Sequence, residues 1–178
     1  TDGNSNSIIT GNTTITNEVW HHAAATRDSS GVIRMFLDGV LQSSTLTQAS
    51  TYAGTHEFHI GVNGSSGIEQ YMGGMISNVR FVKGTCLYTE NFTPPFRELE
   101  NIYQTKLLCC QSRTSSTAYN ICPQPYGIIT TGGDPTASST APSGSSGSVD
   151  FDGNDKLTLA SNSDFAFGEG PYTVEFWM

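Results

Sequence analysis

The chain has 178 residues, of which 36% are hydrophobic and only 13% charged, with 19 glycines and a net charge of −8. Low charge with abundant Ser, Thr, Asn and Gly fits an all-β protein with many turns, and does not fit helices rich in Glu, Lys and Leu. The basic residues are too few and too scattered for the clustered cations that nucleic acid or an anionic membrane surface requires, and no apolar run reaches the roughly 18 residues of a spanning helix.

The N-terminal stretch "TDGNSNS" has no initiator Met, basic region or apolar core. It does not read as a signal peptide and reads as a chain already under way. Strands are then expected at Thr13–Thr16 and Val19–Thr26, the second placing Trp20, His22, Ala24 and Thr26 on one face. "GVIRMFLDGVLQ" predicts a hairpin. Ile33, Met35 and Leu37 alternate with Arg34 and Phe36, and Asp38-Gly39 is a two-residue turn pair that takes positive φ. "EFHIGVNGSSG" puts Phe58, Ile60 and Val62 on one face and breaks at Asn63-Gly64. In "GGMISNVRFVKG", Val79 and Phe81 share a face while Met75-Ile76 fall out of phase, so a bulge is expected near Ser77-Asn78. Pro94-Pro95 bars a central strand from "TCLYTENFTPPFRELEN". That stretch reads as a turn at Leu87-Tyr88 and then a loop wrapping the molecule. "TKLLCCQS" reads as a strand apolar on both faces.

From residue 112 to 147, Ser, Thr, Gly, Pro and Ala dominate. Such a composition buries too little apolar surface to order itself and reads as a linker, with "YGIIT" as a short strand against a neighbour. Strand signals return in "SVDFDG", "KLTLAS" and "YTVEFWM", and Phe165 and Phe167 read as aromatics that pin a loop.

These segments resemble a known family. "VWHHAAATRDSSGVIRMFLDGVLQ" is similar to the middle of a laminin-G-like, concanavalin A-like jelly-roll domain. "GGMISNVRFVKGTCLYTENFTPP" is similar to its late strand and following turn, "TKLLCCQS" to its last strand, and "GSVDFDGNDKLTLASNSDFAFGEGPYTVEFWM" to its first two. The resemblance implies an antiparallel jelly-roll sandwich. It also implies an order: residues 1–111 as the end of one domain, 112–147 as linker, and 148–178 as the start of a following one. The expectation is a fragment of a longer polypeptide. The alternative is a permuted or swapped sandwich, in which Trp177 would be buried against Val19–Thr26. The combination "LYTENFTPP…TKLLCCQS…GDPTAS" is similar to tandem domains in virion proteins of tailed phages of marine bacteria. This implies a non-enzymatic structural or adhesion protein of a virion, as head decoration, fibre or tail appendage. Its partners would be other virion proteins, further copies of itself and host-surface glycans. A bacterial cell-surface adhesin is the alternative, and a glycoside hydrolase the outsider.

The residues themselves carry little chemistry. Glycosidases of this fold class set two carboxylates across a sugar bond, and a Glu-x-Asp-x-Glu pattern on one strand is missing. Glu98 and Glu100 lie past the proline pair, and Glu175 stands alone on its strand, so no catalytic residue is expected. His21 and His22 point opposite ways on a strand, as one packed and one exposed side chain, and His56 and His59 also diverge. No cofactor is expected. Calcium stays open through Asp38, Asp150, Asp152 and Asp155, although Asp38-Gly39 and Asp152-Gly153 are turn pairs in any case. Tyr52, Tyr71 and Tyr88 are the candidate platforms for a sugar ring. Asn12, Asn63 and Asn91 match N-x-[ST], as chance matches in a chain of this composition. Cys86, Cys109, Cys110 and Cys122 include no C-x-x-C pair, which argues against a zinc site of the usual spacing. Adjacent Cys109 and Cys110 are expected on opposite strand faces, unbonded to each other, with a Cys122 bridge left open.

Overall fold

The computed structural model describes residues 9–43, 45–47, 56–65, 68–124 and 128–178. In chain order the strands are β1 (His22–Arg27), β2 (Val32–Leu37), β3 (Val40–Leu41), β4 (Leu46–Thr47) and β5 (His56–Ile60). There follow β6 (Val62–Ser65), β7 (Ile68–Tyr71), β8 (Gly73–Lys83), β9 (Thr105–Cys109) and β10 (Tyr119–Ile121). The last are β11 (Ile129–Gly132), β12 (Thr136–Ser138), β13 (Ser148–Asp152), β14 (Lys156–Asn162) and β15 (Tyr172–Trp177). All pairings are antiparallel.

The larger sheet runs β10-β9-β8-β15-β1-β2-β3, and a second layer runs β11-β14-β5. Between them lies one core. Phe58 and Ile60 (β5), Val79 and Phe81 (β8), Leu107 (β9), Val149 and Phe151 (β13), Leu157 and Leu159 (β14) and Val174 (β15) pack with Phe165 and Phe167. The alternation of apolar residues along each strand produces this face, because successive side chains point to opposite sides of a sheet.

The expected hairpin forms between β2 and β3. Asp38 at φ 50° and Gly39 at φ 75° supply the two positive angles of a type I′ turn, whose twist matches the strands it joins. The expected bulge is also present. Trp177 stands opposite Ser77 and Glu175 opposite Arg80, so β8 carries one extra residue there, and Asn78 takes φ 56°. Residues 13–16 form no strand, and β1 begins only at His22. The break after β5 comes at Gly61 rather than at Asn63-Gly64. Gly61 sits at φ 84° with the Phe151 ring where a side chain would be, so only glycine fits.

The outer face of the larger sheet is roofed by the proline-containing loop, residues 84–104. Thr26 Oγ1 donates to Tyr88 O (2.9 Å), Leu87 N to Thr173 Oγ1 (2.9 Å) and Arg80 Nη1 to Glu100 O (2.9 Å). The Tyr88 and Phe92 rings stack at 3.6 Å and lie edge-on to Phe36. This strap gives the sheet a second, smaller buried layer.

Two expectations meet a different arrangement. The segment read as a linker, 112–147, carries β10, β11 and β12, and Pro123, Pro135 and Pro142 are buried in it. Its order comes from pairing with strands already present, β11 on β14 and β12 on β13, not from its own apolar content. The strands of 148–178, read as the start of a following domain, lie in the same sheets as residues 22–109. β15 sits between β8 and β1, with Trp177 opposite His22 and the ring half-buried against it.

Candidate functional site

The roofed face holds a buried polar cluster. Glu175 and His22 are both 0% exposed. Arg80 donates to Glu175 Oε1 from Nε (2.9 Å) and Nη2 (2.6 Å), and Tyr88 donates to Oε2 (2.8 Å). His22 Nε2 lies 3.2 Å from Oε2, but its alignment falls short of a hydrogen bond, so the contact is electrostatic. Burial alone would raise the Glu175 carboxyl. Its contacts with His22, Arg80 and Tyr88 more than offset that and hold it below the ordinary carboxylate range. Burial, then the negative charge of Glu175, push the Tyr88 hydroxyl far above its usual value. The strap seals this cluster from any substrate, so it braces the fold and Glu175 has no access to a sugar bond.

Among the sequence candidates, Tyr88 thus has one ring face on Phe92 and its hydroxyl on Glu175. Tyr71 is half-buried, and its hydroxyl donates to Glu69, which also pairs with Lys156 at 2.6 Å. Tyr52 lies outside the described residues. Both His21 and His22 are buried, not one packed and one exposed, because Asp38 draws the His21 ring onto the hairpin turn at 2.6 Å.

Asp38 thus has one oxygen on the His21 ring and the other on the His22 main chain, and it does not join the acidic group at Asp152 and Asp155. Asp134, which the sequence reading did not single out, joins Asp152 and Asp155, with one carboxylate oxygen of each within 4.8 Å of the others. Asp155 is buried, and its oxygens accept Asp134 N (2.7 Å) and Asp152 N (3.0 Å), which is turn chemistry. The trio offers three carboxylates of the six or more oxygens that calcium takes. Asp150 lies on β13 opposite Met75.

The four cysteines are free thiols. Cys109 and Cys110 do not point apart as expected: their sulfurs lie 3.7 Å from each other. Cys110 falls past the end of β9 at φ 60°, which breaks the alternation.

A polar site lies where the end of the strap meets β10. A groove of about 560 Å³ is lined by Arg97, Glu98, Glu100, Asn101 and Asn120, and a hollow of about 180 Å³ continues past Glu98 and Asn120 to Tyr119 and Ser146. Its floor is held by a relay of amides. Asn120 Nδ2 donates to Gln111 Oε1 (2.6 Å), and Gln111 Nε2 donates to Asn78 Oδ1 (2.8 Å) and Leu99 O (2.7 Å). Ser146 N donates to Glu98 Oε2 at 2.6 Å. Arg97 lays its guanidinium 5.2 Å over the ring of Phe96, which is exposed, as is Tyr119. Two carboxylates, two amides and flanking aromatics are a hydroxyl-reading set. Donors from Arg97 and the amides and acceptors from the carboxylates suit sugar hydroxyls, and two carboxylates against one guanidinium disfavour anionic sugars. Sequence reading named Glu98 and Glu100 only as doubtful acids. Asn120 lay in the presumed linker, and only the bulge at Asn78 hinted at the relay.

An antiparallel jelly-roll β-sandwich with a polar groove is the class that this fold and site define. Residues 1–88, just under half of the chain, match the family model of the concanavalin A-like lectin/glucanases superfamily. Comparison with curated proteins and with solved structures gives no match. The groove lies beyond the matched residues.

Proposed function

We propose that this protein is an adhesion and display module of a phage virion, and that it holds neutral or amino saccharides, without cleaving them, in the groove between the strap and β10. The observation that carries the binding part is the groove itself, with Asn120 and Glu98 held in place by hydrogen bonds to Gln111 and the Ser146 main chain before any ligand arrives. The superfamily whose model matches residues 1–88 supports it, since its description covers lectins, though glucanases also. The virion setting is supported by the resemblance of "LYTENFTPP…TKLLCCQS…GDPTAS" to tandem virion domains. In that setting the module is present in many copies, contacts other virion proteins and copies of itself, and touches host-surface glycans.

A glycan array tests the binding part. Selective retention of neutral or amino sugars, lost in Asn120→Ala, is the expected result. Preference for sulfated or uronic glycans, or retention unchanged in the variant, removes the groove from the account. Mass spectrometry of purified particles tests the setting, and its detection only on bacterial cell envelopes would favour the adhesin alternative.

A further inference from the structure

The loop before β1 carries an arrangement separate from the saccharide groove. His21 Nδ1 lies 2.6 Å from Asp38 Oδ2, and His21 Nε2 lies 2.9 Å from Thr16 Oγ1. The main-chain N–H of Thr16 also points at Nε2, at 3.3 Å. A main-chain N–H can only donate, so Nε2 is the acceptor and the ring proton sits on Nδ1, facing the carboxylate. That is the tautomer a general base needs. Both supports are tied to the main chain. Asp38 Oδ1 accepts His22 N at 2.9 Å, and the His21 main chain exchanges hydrogen bonds with Met178 at 2.8 and 3.0 Å.

Thr16 also lines a mostly apolar groove of about 450 Å³, shared with Ile15, Val19, Trp20, Met72 and Met75. Beside it, the N–H groups of Asn17 and Glu18 have no acceptor among the described residues. Glu18 is held at φ 62°, an angle that non-glycine residues adopt under constraint. A hydroxyl on a base, a base on a carboxylate, an acyl-sized apolar groove and free main-chain donors are thus brought together.

We propose that Thr16, His21 and Asp38 act as nucleophile, base and orienting carboxylate in the cleavage of carboxylic esters with an apolar acyl group, which lies in this groove. This goes beyond the display reading and does not depend on it. Thr16 Oγ1 forms a bond to the carbonyl carbon as its proton passes to His21 Nε2. The bond from that carbon to the alcohol oxygen breaks, and the alcohol leaves with the proton. Water then attacks the acyl-threonine, its proton passes through His21 to Thr16 Oγ1, and the carboxylic acid departs. The N–H groups of Asn17 and Glu18, which line the same groove, are the main-chain donors assigned to the transient oxyanion.

The test uses the whole chain with p-nitrophenyl butyrate, and separately a fluorophosphonate probe read by peptide mass spectrometry. Thr16→Val keeps the shape and the N–H but lacks the hydroxyl. It is expected to lose about a hundredfold in ester hydrolysis, the scale of a positioned acid–base contribution, while Thr16→Ser retains activity and shows that the loop still folds. The probe is expected on residue 16 in the wild type and in Thr16→Ser. Equal rates in wild type and Thr16→Val, or no adduct at residue 16, would overturn the proposal.

Discussion

Glu175 shows how much a single side chain can carry in this protein. It is fully buried, and Arg80 depends on it for charge balance. Glu175→Gln keeps the shape but leaves the guanidinium uncompensated, so a loss of about 3 kcal/mol is expected in denaturant unfolding, in the range for a broken buried pair. The pH dependence has a definite sign. The folded carboxyl titrates below its ordinary value of 4.5. Its contribution is therefore fully present above pH 4.5 and is lost as the pH falls through the folded value. Wild-type stability should drop over that acid window, and the drop should be smaller in Glu175→Gln. The sequence showed a lone glutamate on a strand. It could not show that β8 would set Arg80 directly opposite, because register is a tertiary fact.

The strap is the element on which the outer face depends. Gly39 touches it directly: a side chain there would strike the carbonyl oxygen of Phe92, and the residue also sits at φ 75°. Gly39→Ala is expected to cost about 1–3 kcal/mol from backbone strain. It should also raise hydrogen exchange in residues 85–100 more than in β13–β15, and uniform change across both would refute the link. The hairpin, the bulge and the wrapping loop were legible because turn pairs, broken phase and paired prolines act locally. Residues 13–16 were misread as a strand because alternation over four residues is weak evidence. There the imidazole of His21 fixes the loop instead.

For the whole molecule, the question is whether residues 148–178 belong to the fold they are drawn into. They contribute Val149, Phe151, Leu157, Leu159 and Phe165 to the core, all nearly inaccessible. At about 1.5–3 kcal/mol each, these side chains supply on the order of 10 kcal/mol, comparable to the entire stability of a domain. A chain of residues 1–147 is therefore expected to show no cooperative thermal transition, where the full chain shows one. A cooperative melt of 1–147 would return 148–178 to a separate domain.

The sequence by itself determined the fold class. Alternating apolar residues, turn pairs and low charge leave little but antiparallel strands, because each is a local preference repeated along the chain. Only the tertiary structure decided which strands pair. β15 inserts between β8 and β1, far from it in sequence, and the Ser- and Thr-rich segment gains order by pairing that its composition could not predict. Both candidate sites follow from that step. Asn120 meets Glu98, and Thr16 meets Asp38 through His21, because distant segments are held together by hydrogen bonds that no short motif encodes.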